Sequence, residues 1–310
     1  MVMKAKSIKV GVIILTMNQR ENTLRCLESF NAVKNPTFKI LLWDNGSQDD
    51  TKEAVAQDFP NVWVHYNSRN IGVASGRNEA ARIMVEHFNP RYLLFLDNDM
   101  IVSPGFLDAL LAPFENITSL AQTTGKISDL NDPKRLYDAG GYQVRFWRGD
   151  TLHLGYGETD SGQYDKPRKC YPSGGCMLVR ADVYQKLGGF DPGFDPYGSE
   201  DLDFGIRVQK AGYYGLYVPQ AVVYHEFKPA PTTVRDEGNP EKVARCWSEH
   251  WFLLMRRHAP IWQKLIFMVL TAPYLFVKVA VREYRRGNLT ILKELLGGFF
   301  NFGKTQLLQR

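Results

Sequence analysis

Short apolar runs alternate with stretches of helical periodicity through the first hundred residues. The runs are rich in Val, Ile, Leu and aromatic residues and predict strands at 10–15, 38–43, 62–66 and 92–96. The intervening stretches predict helices at 23–30, 50–58 and 74–88. Near-continuous apolar strands separated by helices indicate a mostly parallel sheet that is covered on both faces. The predicted fold class is therefore α/β, with a doubly wound sheet.

The pattern is weaker in the second half of the chain. Residues 118–170 are polar, rich in Gly, Asp and Tyr, and weakly periodic, so we expect irregular structure or a hairpin insert there. Beyond them the pattern predicts, in order, a strand at 176–180, a helix to about Leu187, a helix from about Glu200 to Gly212, a short strand from 216 that ends near His225, and a mobile loop at 229–240.

The last part of the chain differs from the rest in charge. From Lys242 onward there are twelve Lys and Arg residues and three Glu, a net charge of +9, whereas the preceding residues carry −4. We therefore expect two regions, an α/β domain at 1–240 and a basic, amphipathic helical region at 241–310. Such an uneven charge indicates that the tail meets an anionic surface.

An uncharged apolar run lies within this tail. It extends from Leu265 to Val277, contains Pro273 and is flanked by basic residues. Spanning a bilayer takes about 20 apolar residues, so the run is too short to cross and favours a helix in the interface of an anionic membrane. The alternative is a helical pair that packs on the sheet or forms a homodimer contact. Aromatic and apolar residues beside the charges favour lipid over nucleic acid.

The spacing of the four cysteines indicates the redox compartment. Cys26, Cys170, Cys176 and Cys246 show no Cys-x-x-Cys spacing. This is atypical of a secreted disulfide scaffold or a structural zinc site, and it favours a reducing, cytoplasmic setting.

Polar side chains follow several of the predicted strands. Asp44 follows the second strand, Asn70 lies shortly after the third, and Asp97-Asn98-Asp99 follows the fourth. Open α/β sheets bind ligands at the carboxyl ends of their strands, and carboxylates there suit Mg²⁺ or Mn²⁺. Any one such residue can equally be a turn or a helix cap.

Two further positions can carry chemistry. Glu200 and Asp201 open a helix after a Gly- and Pro-rich loop, and either a general base or a favourable helix-dipole placement behind Ser199 accounts for them. His225 follows the last predicted strand and is a candidate metal ligand, although a single histidine is often structural.

Together these residues resemble the family 2 glycosyltransferases, which are inverting enzymes with the nucleotide-sugar-binding GT-A fold. Within that family the chain is most similar to bacterial rhamnosyltransferases of surface polysaccharides. The resemblance rests on the segments 12–18 (VIILTMN), 43–47 (WDNGS), 70–78 (NIGVASGRN), 97–99 (DND), 174–180 (GGCMLVR), 188–191 (GGFD) and 200–203 (EDLD).

The resemblance implies a role for each matching position. The residues implied to bind the nucleotide sugar are Thr16, Asn18, Asp44, Asn70, Gly72, Arg77, Asp97 and Asn98, with Asp44 on the base, Gly72 allowing close approach and Arg77 meeting phosphate. Asp99 and His225 are implied to bind Mn²⁺ or Mg²⁺. Asp201 is implied to be the general base, with Glu200 orienting it or the acceptor.

The implied activity is transfer of a sugar from a UDP- or dTDP-type donor to a glycan or lipid-linked acceptor, at the cytoplasmic face of the membrane, in bacterial surface glycan synthesis. A sugar-phosphate nucleotidyltransferase is one alternative, but residues 16–20 lack the Gly-rich loop it needs after the first strand. A catalytically silent sugar-binding GT-A protein is the other, but Asp99 and Asp201 are both present.

Overall fold

Strands and helices follow one another through the described residues of this computed structural model, which are 8–34, 37–226, 240–285 and 290–301. Within them the strands are β1 (Val10–Thr16), β2 (Phe38–Asp44), β3 (Trp63–Tyr66), β4 (Tyr92–Asp97), β5 (Met100–Val102), β6 (Leu120–Asp129), β7 (Leu136–Asp138), β8 (Tyr142–Arg145), β9 (Asp150–His153), β10 (Arg168–Cys170), β11 (Cys176–Arg180) and β12 (Tyr214–His225). The helices are α1 (Arg20–Ser29), α2 (Thr51–Asp58), α3 (Val73–Phe88), α4 (Phe106–Leu111), α5 (Ala181–Lys186), α6 (Glu200–Lys210), α7 (Pro240–His258), α8 (Ile261–Ile266), α9 (Ala272–Arg285) and α10 (Thr290–Asn301).

One mixed sheet organises the first part of the chain. Its order is β10-β12-β6-β11-β4-β1-β2-β3, with β5 paired to β12 and β7 to β6. The strands β4, β1, β2 and β3 run parallel, and β11 is antiparallel between β4 and β6. The strands β8 and β9 form a separate pair. The predicted α/β class with helices on a mostly parallel sheet is confirmed.

The apolar runs are continuous because both faces of the central strands are buried. In β4, Leu94 and Leu96 enter one core cluster, which also contains Leu27 of α1. The alternate residues Leu93 and Phe95 enter a second cluster, together with residues of α3, α5 and α6. Successive side chains of a strand point to opposite faces of the sheet. A strand that is covered by helices on both faces therefore shows no alternation of apolar and polar residues.

The strand β6 contradicts the expected irregular structure at 118–170. All ten of its residues are buried although several are polar. The hydroxyl of Thr123 donates to the Leu110 carbonyl, that of Thr124 donates to the Cys176 carbonyl, and the Lys126 ammonium binds Asp160 and Asp165. Long-range partners satisfy these groups, so burial does not require an apolar sequence. The hairpin that was the other expectation is present as β8 and β9.

The last core strand is longer than the sequence pattern indicates. It covers the twelve residues of β12 and is irregular between Val218 and Val222, which pair with Gly125 and Lys126 of β6. The expected mobile loop at 229–240 lies outside the described residues, except for its last residue.

The helices after β12 belong to a second compact unit, which also contains residues 144–151 and 196–199. In this unit α10 packs along α7. The helices α8 and α9 are joined through a π-helical segment, Phe267–Thr271, into one helix over 261–285. Pro273 lies just after that segment, and a proline removes a backbone donor from a helix.

The length of that helix corrects one expectation. Its 25 residues are long and apolar enough, by length and composition alone, to cross a membrane. The apolar run at 265–277 is shorter because Lys264 and Lys278 bound it, but the helix continues past both charges. Length therefore does not exclude a membrane-crossing position.

Gly125 lies in β6 beside β12, where there is no room for a side chain. A Cβ built there lies 2.2 Å from the carbonyl oxygen of Ala221 on β12. We expect Gly125→Ala to lower the free energy of unfolding by about 1–3 kcal/mol, measured by urea denaturation followed by circular dichroism. The double variant with Ala221→Gly is the control. It should not regain stability, because the obstructing atom is the backbone oxygen of residue 221, which glycine keeps. A Gly125→Ala protein with the wild-type midpoint contradicts the assigned strand order.

Candidate active site

The carboxyl ends of three neighbouring strands define the candidate site. In the sheet β1 lies between β2 and β4, and its end pairs Thr16 with Asp44 and Leu15 with Asp97. Adjacent strands are about 4.8 Å apart, so the ends of β2 and β4 are about 10 Å from one another. Asp44 and Asp97 therefore lie at one edge of the sheet, on either side of Thr16.

Arg77 of α3 links this edge to the start of α6. Its guanidinium is 4% exposed. One terminal nitrogen lies 3.0 Å from Glu200 Oε1, and the other lies 2.6 Å from Asp97 Oδ1 and 3.0 Å from the Gly174 carbonyl oxygen. Both terminal nitrogens thus bind groups of the protein itself, and the expected contact of Arg77 with a phosphate stays a prediction. Gly174 has no room for a side chain, since a Cβ there lies 2.4 Å from Arg77 Nη1.

The electrostatics of this cluster favour a bound cation. Burial raises the pKa of Glu200, the charge of Asp201 adds to the rise, and Arg77 opposes it. Burial also raises the pKa of Asp97, opposed by Arg77 and increased by Asp99. Asp97, Glu200 and Asp201 surround one guanidinium and Asp99 lies close to Asp97, so a positive charge added beside these carboxyl groups lowers their mutual repulsion.

Asp201 is held by neutral hydrogen-bond donors. Its Oδ2 accepts from the Gly174 amide at 2.6 Å and from the Tyr142 hydroxyl at 3.1 Å, and its Oδ1 accepts from the Leu202 amide at 2.7 Å. The carboxylate is thereby fixed in the first turn of α6. Tyr142 belongs to the insert in which the sequence showed no pattern, so sequence reasoning missed it; the high tyrosine content was the available signal.

Asp99 and His225 form a pair although they are 126 residues apart. Asp99 Oδ2 and His225 Nε2 are separated by 3.1 Å, because β5 pairs with the end of β12 and matches His225 to Met100. The imidazole packs against Tyr137, with ring centroids 4.5 Å apart. The sequence analysis named these two residues as the implied metal ligands, and the fold brings them together.

The Asp99–His225 pair fits a divalent cation. Neighbouring ligands of an octahedral cation with bonds of about 2.1 Å lie about 3.0 Å apart, which is close to the observed separation. In the described part of the chain no group of three or more His, Cys, Asp or Glu side chains is arranged to hold a metal ion. A cation here therefore needs further ligands, which Mg²⁺-type ions usually take from water and substrate phosphates.

The nucleotide side of the edge is built from the loops after β1 and β2. Asn18 has a positive φ of 53°, and its Oδ1 accepts from the Gln48 amide. Asp44 Oδ1 accepts from the Gly46 and Ser47 amides. A cavity of about 360 Å³ opens beside them and is lined by Asp44, Ser47, Gln48, Asp49, Lys52, Glu53, Tyr66, Asn67 and Ser68. Asp44 thus stabilises a turn and also borders a cavity.

Asn70 belongs to a network around Asn45, which the sequence analysis did not assign to the site. Asn45 is buried and donates to Asn70 Oδ1 and to the Gly72 carbonyl, while its own Oδ1 accepts from the Ile71 amide. The turn after β2 is thereby tied to the segment before α3. The Asn-Gly sequence at 45–46 signals a turn, but it carries no sign of this second role.

Gly72 makes room for a carboxylate of the protein itself. It has a φ of +94°, and a Cβ there lies 2.2 Å from Asp195 Oδ1. That oxygen accepts from the Ala74 amide at 2.9 Å, so Asp195 caps the start of α3. The expected close approach of a ligand at Gly72 stays a prediction, and the protein itself already requires glycine at this position. A carboxylate at a helix N-terminus is favoured by the free amides and the helix dipole.

Thr16 and Asn98 are buried in a small polar network. The amide of Asn98 donates to the hydroxyls of Thr16 and Thr23, which are themselves 2.8 Å apart. These residues join the ends of β1 and β4 to α1. The structure therefore places both of them beneath the site, where they position the strand ends.

A second, larger cavity lies elsewhere on the same unit. It measures about 1020 Å³ and is found where β1 and β4 begin and β11 ends. Arg91 and Arg180 line it, but none of the strand-end carboxylates does. The chemistry is thus concentrated at the opposite edge of the sheet.

Solved structures share this architecture. GalNAc-T7, crystallised with UDP, GalNAc and Mn²⁺, gives a TM-score of 0.61 at 18% identity, over 82% of this chain and 51% of that one. Residues 1–349 of TarS from S. aureus give a TM-score of 0.57 at 16% identity, over 95% of this chain and 81% of that one. The expected GT-A fold is confirmed, and this chain spans about half of the GalNAc-T7 chain.

Relatives of similar length are found among curated proteins. The N-acetylglucosaminyl-diphospho-decaprenol L-rhamnosyltransferase of Mycobacterium tuberculosis, in strains H37Rv and CDC 1551, is 27% identical over 91% of this chain and 97% of its own length. The uncharacterized glycosyltransferase YfnE of Bacillus subtilis is 28% identical over 66% of this chain and 61% of its own length. The expected similarity to rhamnosyltransferases is confirmed.

The family model described as glycosyltransferase like family 2 matches residues 8–239, which include every strand of the main sheet and all of the candidate site residues. The chain therefore belongs to the family 2 glycosyltransferases.

Proposed function

We propose that this glycosyltransferase moves a sugar such as L-rhamnose from a UDP- or dTDP-linked donor to a hydroxyl of a lipid-linked glycan, with inversion at the anomeric carbon, in bacterial surface glycan synthesis. The observation that carries the proposal is the position of Gly174. Its amide donates to Asp201, and its carbonyl accepts from Arg77, which holds Asp97 at the end of β4. One residue thus connects the candidate base to the strand end where a nucleotide sugar is expected.

The acceptor side of the proposal rests on the mycobacterial relatives, whose name specifies a lipid diphosphate acceptor that carries N-acetylglucosamine. Their alignment covers nearly the whole of both chains. Comparable lipid-linked substrates are therefore what we assign to this chain.

In this mechanism Asp201 is the general base. An alcohol is a poor nucleophile, so a carboxylate must take its proton as it attacks. The partners of Asp201 are neutral donors, which orient the carboxylate without a countercharge. Glu200 instead binds the buried guanidinium of Arg77, and protonating Glu200 would break that ion pair. We therefore assign Glu200 to positioning α6 and Asp201 to proton transfer.

Asp99 and His225 are the residues that would hold a divalent cation, Mn²⁺ or Mg²⁺. The imidazole ligand favours Mn²⁺, because carboxylates suit both ions and nitrogen ligands suit the transition metal better. A bound cation would supply charge stabilisation to the departing diphosphate. Attack from the face opposite this leaving group inverts the anomeric carbon, and the base and the leaving group then lie on opposite sides of the sugar.

The helix over 261–285 supports attachment to the cytoplasmic face of the membrane. Many of its apolar side chains are exposed, among them Ile261, Val269, Leu270, Tyr274 and Val277. Lys264, Lys278, Arg282 and Arg285 lie along the same helix. Exposed apolar area beside basic side chains is the combination that binds an anionic lipid interface. We propose that the helix lies in that interface rather than across the bilayer.

The base assignment predicts that Asp201→Asn lowers the rate of sugar transfer by about 10²–10⁴-fold, while the affinity for UDP or dTDP, measured by titration calorimetry, stays within about twofold. Asparagine keeps the shape and can still accept from Gly174, so the loss reflects proton transfer. Glu200→Gln is the matched control, and we expect it to retain more activity. If Glu200→Gln loses more than Asp201→Asn, the two roles are reversed.

The metal assignment predicts that Asp99→Ala weakens Mn²⁺ binding by at least about tenfold. Even residues that only hydrogen-bond to a metal ligand usually contribute that much to metal affinity. The measurement is electron paramagnetic resonance of free Mn²⁺ in the presence of UDP or dTDP. Asp108→Ala, at the first turn of α4, is the control and should leave binding unchanged. Equal Mn²⁺ affinities for Asp99→Ala and wild type contradict the assignment.

The membrane assignment predicts that Val269→Glu with Val277→Glu abolishes sedimentation with vesicles that contain anionic lipid. Both side chains are exposed, so the helix should keep its circular dichroism. Lys34→Glu changes the net charge by the same amount at an exposed position of the first unit and should still sediment. Alkaline carbonate should release the wild-type protein from membranes; protein that resists this extraction crosses the bilayer instead.

A further inference from the structure

A buried carboxylate orients a histidine in the insert that precedes β10. Asp138 is 1% exposed, and its Oδ1 accepts from the Gly140 and Gly141 amides at 2.9 and 2.6 Å. Its Oδ2 lies 2.8 Å from Nδ1 of His153. The loop requires glycine at 141, where φ is +72° and a Cβ lies 2.2 Å from the Tyr171 carbonyl oxygen. The imidazole is therefore fixed by one edge, and its Nε2 is directed away from Asp138.

His153 lies one aromatic ring away from both halves of the candidate active site. Its ring centroid is 4.5 Å from that of Tyr142, whose hydroxyl donates to Asp201. It is 6.0 Å from the ring of Tyr137, which packs against His225. All these residues belong to the same compact unit. The Asp138–His153 pair thus lies next to the tyrosine that binds Asp201.

The environment of His153 favours its charged form. Burial alone lowers the pKa of the imidazole, but the hydrogen bond and charge of Asp138, together with the charge of Asp201, raise it above the usual value. The titratable groups that face the ring are these two carboxylates and the phenols of Tyr137 and Tyr142. The side chain is 27% exposed, and among the described residues no hydrogen bond to Nε2 is found. The part-exposed imidazole thus lies beside Tyr142, which donates to Asp201, and its pKa is raised toward the charged form.

We propose that His153 binds the phosphate group attached to the acceptor sugar, so that it selects acceptors that are sugar diphosphates. The inference rests on the proposed function and assigns it a specificity residue. A hexose whose hydroxyl meets Asp201 extends its anomeric oxygen to the other end of the sugar ring. Tyr142 contacts both Asp201 and His153, so the imidazole lies one aromatic ring away from the candidate base. A charged imidazole N–H donating to a phosphate oxygen is a strong, charge-assisted hydrogen bond.

The test compares two acceptors that share one sugar. One is N-acetylglucosaminyl diphosphate with a short prenyl chain, and the other is the uncharged octyl glycoside of N-acetylglucosamine. For His153→Gln we expect the KM of the diphosphate acceptor to rise at least about tenfold, with no change in the KM of the octyl glycoside or of the donor. His87→Gln, at an exposed position of α3, is the matched control.

The pH dependence gives a readout that a structural role would not produce. The raised pKa means that the binding charge is present at low pH and lost as the pH rises through that pKa. The wild-type KM for the diphosphate acceptor should therefore rise with pH, and the His153→Gln value should be flat. Asp138→Asn keeps an oxygen for the Gly140 and Gly141 amides but removes the charge, so its rise should begin at a lower pH.

The other outcomes overturn the proposal. Equal losses with both acceptors mean that His153 only supports the fold of the insert, and a raised donor KM means that it binds the donor diphosphate. If the wild type transfers to neither acceptor, the proposed function fails. In that case titration calorimetry with the diphosphate acceptor still tests the role of His153. The wild type should bind this acceptor, and His153→Gln should bind it more weakly.

Discussion

The site depends on the ion pairs that the buried guanidinium of Arg77 forms with Asp97 and Glu200. Removing such a group from water costs several kcal/mol, which is recovered only if carboxylates and carbonyls surround it. Here Asp97, Glu200 and the Gly174 carbonyl do so, and they come from β4, α6 and the loop before β11. Losing either carboxylate would leave charge unbalanced in the interior. The ion pairs therefore hold together the strand ends and the start of α6, and the Gly174 amide extends the same connection to Asp201.

The rest of the fold serves to bring chain segments to this point. The parallel strands present Asp44 and Asp97 at one edge. The loop before the antiparallel strand β11 supplies Gly174, and the end of β12, which runs parallel to β6, supplies His225. The polar strand β6 lies between those two strands. Its buried hydroxyls are satisfied by Leu110 and Cys176, which fixes its register. The insert after β6 then supplies Tyr142, which donates to Asp201, and the Asp138–His153 pair, which packs beside Tyr142.

Several residues of the recognised motifs have structural partners that a motif does not reveal. Gly72 leaves space for Asp195, which caps α3 from more than a hundred residues away. Arg77 is buried and binds the carboxylates of Asp97 and Glu200. Thr16 and Asn98 are buried beneath the strand ends. A residue can recur in a family because it supports a site, so position in a motif does not by itself identify contact with substrate.

The sequence alone determined the parallel half of the sheet, the order of its helices and the family, because these follow from local hydrophobic periodicity and from residues that lie close together in short motifs. Asp99, Asp201 and His225 were named from sequence for the same reason. Only the tertiary structure decided the strand β6, the partners of Arg77, the cap at Asp195 and the Asp138–His153 pair beside Tyr142. In each of these a polar group is satisfied by a partner that is distant in the chain or in an aperiodic insert. Periodicity reports which side of an element is buried, and it carries no information on which distant atom satisfies a buried polar group.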